Sequence, residues 1–278
     1  MSYKIVADSC CEFPEGYEKD SRYERVALRL DVEDEVFIDD ESFDQAKFLK
    51  SVAKSAECPK SSCPSPEAFR EAYRTDAENV FVFTLSSHLS GSYNSAELGK
   101  KLYHEKYGDK NIFVCDSESA SCGETQLAFK TVEWSKEGCS FEEICQRLVE
   151  YRDKMKTYFV LDNLETLRKN GRLTGIKAFV ATTLNIKPVM SATKGVIIQI
   201  GQAIGTQKAL AKMAEAVARE SVHPEEKMLM ITHCNCRKRA EKVKEMILEK
   251  IRVKDVLIMD TKGVSSMYAN DGGVIVTL

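Results

Sequence analysis

The sequence predicts an α/β protein of two domains: an N-terminal parallel-sheet α/β/α domain over 1–156 and a C-terminal α+β domain over 157–278. Three observations carry this. The 278-residue length is long for one core and ordinary for two modest ones. The first half repeats strand, polar loop and helix, which argues for a parallel sheet with helices on both faces. The pattern changes after about Lys156 to a hairpin followed by mixed elements, with no Pro/Gly/Ser-rich linker to hold the halves apart.

The first strand is expected at Tyr3 to Ala7, broken by Asp8-Ser9. β-like stretches follow at Val26 to Leu30 and Val36 to Ile38. Phe43, Ala46, Leu49 and Ala53 then recur at helical spacing behind Ser42, read as the N-cap. Lys60 to Glu67 reads as a loop feeding a helix with Ser65 as cap and Pro66 at the first helical position. The apolar run Val80 to Leu85 suits a buried parallel strand. It leads through Ser86 to Ser92 into a helix from near Tyr93 to Lys106, then a strand at Ile112 to Cys115 and helices at Gly123 to Glu137 and Phe141 to Met155.

In the second half a strand near Tyr158 to Leu161 precedes a short helix closed by Gly171 and a helix over Ile176 to Leu184. A hairpin is expected to pair Lys187 to Ser191 with Val196 to Ile200 through a Lys194-Gly195 turn. A helix over Thr206 to Glu220 is followed by strand, helix and strand.

Composition excludes several functions. The net charge of −3 leaves no basic field for a phosphate backbone, so nucleic acid is not expected as a partner. No stretch reaches the apolar length of a membrane span, and the N-terminus lacks a secretory pattern, so the expectation is a cytoplasmic protein without stable membrane insertion. The ten cysteines are dispersed and read as reduced thiols.

Two loops carry the chemistry. Ser61-Ser62-Cys63-Pro64-Ser65 and Ser90-Gly91-Ser92-Tyr93 each put hydroxyls at a helix start, where free N–H groups and the positive dipole end favour an anion. Gly91 allows close approach of backbone to ligand. Serines also cap helices and form turns, and on chemistry alone that ordinary role is the favoured account of them. A serine nucleophile beside His88 would make the chain a hydrolase of acyl esters; no Gly-x-Ser-x-Gly elbow is present, and His88 reads as a surface loop residue. His233-Cys234-Asn235-Cys236 lacks the second ligand pair of a structural zinc site, and its cysteines read as loop thiols, so no metal is expected. Arg237-Lys238-Arg239 reads as a solvated helix start, and Arg168, Lys169 and Arg172 as cations near a Gly-capped helix end.

Taken in order, these segments resemble the DegV family across nearly the whole chain. The matching motifs are Asp8-Ser9, Ser61 to Ser65, Ser86 to Tyr93, Asp116 to Gly123, and Gly171 to Leu173 with Leu184 to Pro188. The resemblance implies a non-enzymatic lipid carrier that needs no cofactor. It would hold one long-chain fatty acid in an interdomain tunnel and present the carboxylate to a fatty acid kinase; a lipid sensor without a kinase is the remaining alternative. It further implies that Ser61, Ser62, Ser90 and Gly91 contact the carboxylate, with Asp116 and Ser117 in support. The segment Ile176 to Leu184 would line the tunnel, and Arg172 would lie near the kinase-docking face.

The chain departs from the family in its last motif, where Val264 to Gly273 replaces Gly-Thr-His-x-Gly-Pro-Gly and the histidine position falls at Met267. A thioether there removes a donor and a positive charge. Burying about fifteen methylenes at roughly 0.8 kcal/mol each offers on the order of 12 kcal/mol before ordering costs, against about 1.5–3 for one charged hydrogen bond. The substitution is therefore expected to bear on coupling to a kinase more than on lipid binding.

Overall fold

A computed structural model gives the fold and describes residues 2–173 and 185–278. The helix expected over 176–184 lies outside the described residues.

Strand β1 (Tyr3–Asp8) is followed by β2 (Tyr23–Val26), β3 (Arg29–Val32) and β4 (Glu35–Ile38). The run expected at Val26 to Leu30 is thus two strands that part at Ala27-Leu28. Helix α1 (Gln45–Lys54) starts two residues later than expected and is capped by Asp44, whose carboxylate accepts from the Lys47 amide. Ser42 instead donates to Asp40 in a tight turn. The segment read as a loop opens with a short strand, β5 (Lys60–Ser62), antiparallel to β3. Helix α2 (Pro66–Ala72) has Ser65 as its cap and Pro66 in its first turn, as the sequence predicts.

β6 (Asn79–Thr84), α3 (Ser92–Tyr107), β7 (Asn111–Asp116), α4 (Cys122–Lys136) and α5 (Phe141–Lys154) complete the first half. Its sheet runs β2-β1-β6-β7, all parallel. Alternation along the strands sends Val6, Val80, Val82 and Val114 to the face covered by α2 and α3. Ile5, Ala7, Phe81 and Phe83 go to the face covered by α4 and α5.

β8 (Thr157–Val160), α6 (Glu165–Lys169), the hairpin β9 (Ile186–Thr193) and β10 (Val196–Ile204), and α7 (Thr206–Glu220) follow. The hairpin turn has Lys194 and Gly195 at φ 47° and 76°, the conformation that matches strand twist in a two-residue turn. The chain ends with β11 (Met228–His233), α8 (Arg237–Leu248), β12 (Asp255–Asp260), α9 (Gly263–Ala269) and β13 (Val274–Thr277), one helix and one strand more than expected. The six strands run β10-β9-β8-β13-β11-β12, antiparallel except for β11 with β12. One face of this mixed sheet packs on α7 and α8. The other turns toward the first half: α4 meets the parallel sheet through Leu127 and Ala128 and the mixed sheet through Cys122 and Phe129.

Candidate functional site

A cavity of about 90 Å³ lies between the loops at the carboxyl ends of the parallel strands and the inner face of the mixed sheet. Most of its lining is apolar, as in small-molecule sites. Leu28, Leu85 and Leu89 come from the first half, and Phe159, Ile197 and Ile275 from the mixed sheet. The strand-end position is where open parallel sheets gather ligands.

Polar groups converge at one part of this lining. The Ser61 hydroxyl lies 3.2 Å from the Tyr268 hydroxyl. The Arg172 guanidinium carbon stands 5.9 Å from the centre of the Tyr268 ring, and Arg172 Nε donates to the Leu89 carbonyl at 3.0 Å, beside Ser90. Burial pushes the Tyr268 hydroxyl above its ordinary pKa, so it stays a neutral donor at physiological pH. Arg172, expected near a docking face, therefore lines the cavity together with Ser61 and Ser90.

The other candidates sit elsewhere. Ser62 is exposed because strand alternation in β5 turns it to the opposite side from Ser61. Gly91 has φ −75°, which any residue adopts, and does not line the cavity; its special feature is the Cys63 sulfur, 3.2 Å from where a Cβ would stand. Asp116 and Ser117 brace the loops from behind. Asp116 Oδ1 accepts from the Ser87 and Glu118 amides, and Ser117 Oγ accepts from the Ser119 amide. Met267 is 1% exposed, lies in the core cluster of Phe48 and Val264, and does not itself line the cavity. Its neighbour Tyr268, like Ser265 of the same helix, lines the cavity, and the Tyr268 hydroxyl is the one that meets Ser61. No motif pointed to Tyr268; an alternating view of Ser266 to Tyr268 would not have found it either, because α9 is a single short helix capped from elsewhere.

The loops are held by buried carboxylates. Asp8 Oδ2 accepts from the Leu85 amide at 2.9 Å and Oδ1 from the Cys10 amide at 3.1 Å, fixing where the Ser86 to Ser90 loop leaves β6. Ser86 Oγ donates to the Gly195 carbonyl at 2.9 Å, tying that loop to the hairpin of the other half. Asp39 accepts from the Gly263 and Val264 amides at 2.7 and 2.8 Å and from Ser9 Oγ at 2.9 Å.

The serine-hydrolase geometry is not formed. His88 is exposed, Ser86 Oγ is engaged with Gly195, and among the described residues no imidazole hydrogen-bonds to a serine hydroxyl. His233 is buried at the end of β11, where its Nδ1 accepts from the Cys236 amide, and Cys234 and Cys236 are free thiols in the loop that follows, Cys234 buried. Arg239 is no solvated helix start, since it bridges Asp162 and the Gly272 carbonyl. No described helix is long and apolar enough to cross a membrane.

The model of the DegV family, which carries the description of an uncharacterised protein family, matches residues 2–277. A DegV domain-containing protein of Streptococcus pyogenes serotype M1 is 36% identical over 280 residues, covering 99% of this chain and 98% of its own. Among solved structures, a DegV-family protein from Ruminococcus gnavus refined with vaccenic acid is 50% identical, covers the whole of both chains and superposes with a TM-score of 0.98. The Streptococcus pneumoniae fatty acid kinase B3 protein loaded with linoleic acid is 32% identical, with a TM-score of 0.90 over 100% of this chain and 99% of its own. A DegV-family protein from Eubacterium eligens loaded with heptadecanoic acid is 28% identical, with a TM-score of 0.90 over 99% of each chain. The motif pattern, the two-sheet fold and these matches agree that the chain belongs to the DegV family.

Proposed function

We propose that the protein is a carrier that holds one long-chain fatty acid in the cavity between its two sheets. The observation that carries the reading is an apolar cavity with a cluster of neutral donors and one guanidinium on its wall: Ser61, Ser90, Tyr268 and Arg172. An acyl chain takes the apolar lining, and the carboxylate takes the hydroxyls and the cation, an arrangement that suits an amphiphile with one anionic end. The vaccenic, linoleic and heptadecanoic acids bound by three proteins of the same fold support the ligand class. In this reading Asp116 and Ser117 hold the loops, Ser62 and Gly91 shape them without touching the acid, and Tyr268 takes the place assigned to Met267.

The carrier acts in the cytoplasm, needs no cofactor and performs no chemistry of its own. A fatty acid kinase phosphorylates the carboxylate, and Arg172, at the wall near the head group, is the residue through which the kinase senses an occupied carrier. The relation to the pneumococcal fatty acid kinase B3 protein supports the kinase step. Mass spectrometry of a solvent extract of purified protein is expected to find a long-chain fatty acid near one per chain; a protein that copurifies with none and takes up none overturns the carrier reading. Incubation of the loaded protein with ATP and the host's fatty acid kinase is expected to release acyl-phosphate, and Arg172→Ala to lower that yield more than it lowers fatty acid affinity. Labelling of Ser86, Ser90 or Ser92 by a fluorophosphonate would favour a hydrolase instead.

A further inference from the structure

Asp8, at the end of β1, and Glu124, in the first turn of α4, bring carboxylate oxygens within 4.8 Å of each other, and both residues are fully buried. The other titratable groups facing them are Cys10, Cys11 and Glu12 from the segment after β1, with Asp39 nearby; among the described residues no cation contributes to either carboxylate. Two carboxylates that close in a dry interior do not both ionise. Hydrogen bonding decides which keeps the charge. Asp8 accepts from two backbone amides, Leu85 and Cys10, which favours its ionised form. Neither oxygen of Glu124 has a partner at hydrogen-bonding geometry, and the weak donor of the Cys10 thiol is what faces it. A carboxylate without backbone donors is the costlier ion, and a neutral acid that donates to Asp8 leaves its hydroxyl satisfied. The Ser92 hydroxyl, also fully buried, lies on the Asp8 side of the pair.

The pair stands directly behind the loop that carries Ser90. Asp8 sets the amide of Leu85, the first residue after β6 on the way into that loop. We propose that Glu124 is a positioning residue: as a neutral acid sharing its proton with Asp8, it fixes the Asp8 carboxylate and through it the loop that presents Ser90 to the head group of the bound fatty acid. The inference rests on the carrier reading. Burial, and then the Asp8 charge, push Glu124 well above the usual carboxylate range, in keeping with a proton retained at neutral pH.

The test uses the full-length chain, stripped of lipid, with vaccenic acid as the probe. Infrared spectra of the ligand-free wild type at a pH well above 7, where Asp8 and Glu12, raised to about 6 and about 7, are ionised, should show the carbonyl band of an un-ionised carboxylic acid, and Glu124→Gln should lack it. Glu124→Gln, whose amide still donates to Asp8, should bind vaccenic acid within about threefold of wild type, while Glu124→Met should bind about tenfold more weakly. Wild-type affinity should fall on the alkaline side as the shared proton is removed, and Glu124→Gln should lose that limb; a residue that only fills space would give no such limb and no rescue by Gln. If Glu124→Met does not fold, the band and the alkaline limb decide. The proposal is overturned by absence of the band in wild type, by Gln binding as weakly as Met, by an unchanged pH profile, or by elemental analysis finding one divalent cation per chain on Asp8, Cys10 and Glu124. Wild-type protein that binds no vaccenic acid overturns the carrier reading and the head-group role with it, while the band, read without ligand, still decides the shared proton.

Discussion

The hydroxyls of Ser61 and Tyr268 lie 3.2 Å apart although the residues are 207 positions apart in the chain. Strand β5 brings one from the first half and helix α9 the other from the second. Each is half-buried at the cavity wall, so in the proposed carrier a ligand carboxylate entering there would replace their mutual hydrogen bond with two to itself. Tyr268→Phe removes one donor and keeps the ring under Arg172. Its expected effect is a rise of about three- to tenfold in the Kd for a long-chain fatty acid, without loss of binding, measured by displacement of a fluorescent fatty acid. Met267→His is expected to gain no affinity. It puts an imidazole among Phe48 and Val264 at a 1%-exposed position, and the cost of burying that polar ring, about 1–3 kcal/mol, should appear as a lower denaturation midpoint.

The contrast between Met267 and Tyr268 shows where the sequence stops being legible. Helix α7 was readable residue by residue, because Gly205 precedes it and Leu210, Met213, Ala214 and Val217 repeat at helical spacing over fifteen residues. Helix α9 has seven residues, nearly all buried, so no amphipathic stripe marks its inner face. Its cap is Asp39, 224 residues upstream for the first bond, which local pattern cannot reveal. Strand β5 has no apolar residue and exists because β3 offers it an edge, so its two serines looked equivalent until pairing turned one outward. The parallel sheet was legible for the opposite reason: β6 is buried on both faces and announces itself as a continuous apolar run.

The hairpin turn at Lys194-Gly195 joins the two halves as well as two strands. Gly195 has φ 76°, and a Cβ there would stand 2.4 Å from Ser86 Oγ, the hydroxyl that donates to the Gly195 carbonyl. Gly195→Ala combines backbone strain with a displaced interdomain hydrogen bond. It is expected to destabilise by about 1–3 kcal/mol and to weaken fatty acid binding by moving the Ser86 to Ser90 loop. Ser86→Ala loses the bond without the clash and should cost less. Denaturant midpoints of the two variants should rank in that order; equal midpoints would remove the steric part of the argument.

Buried acids give the protein an unusual stability profile with pH. Burial raises Asp8 from 3.8 to about 6 and Glu12 from 4.5 to about 7. For a carboxyl whose folded pKa lies above its unfolded one, the native state holds more protons between the two values, so stability is fully present below the unfolded value and is lost as pH rises through the folded one. These two groups therefore make stability fall as pH rises from about 4 to about 7. Glu12→Gln keeps one acceptor for the Ser121 hydroxyl or the Lys262 amide and removes the titration. The expected result is a flatter dependence of the melting temperature over that window than in wild type. Exposed ion pairs such as Arg74 with Glu71 add little to the difference, because solvent screens them and both proteins share them.

Asp39 holds the start of the helix that carries Tyr268. Its two oxygens accept from the Gly263 and Val264 amides at the start of α9, and Oδ2 also accepts from Ser9 Oγ, so one fully buried carboxylate joins the first loop, the cap of α9 and the strand end before α1. Gly263 is required for the approach, since a Cβ there would lie 2.6 Å from the Asp39 carboxyl carbon. Asp39→Asn exchanges one acceptor for a donor, which then faces an amide N–H and leaves that group unpaired. The expected cost is about 1–3 kcal/mol, with Asp39→Ala at least as large because all three donors lose their partner. Because α9 carries Tyr268, Asp39→Asn should also weaken fatty acid binding at temperatures where the protein remains folded, whereas a purely global destabilisation would leave the affinity of the folded fraction unchanged. Titration of the variant well below its melting temperature separates the two, and wild-type affinity there would show that the cap serves stability alone.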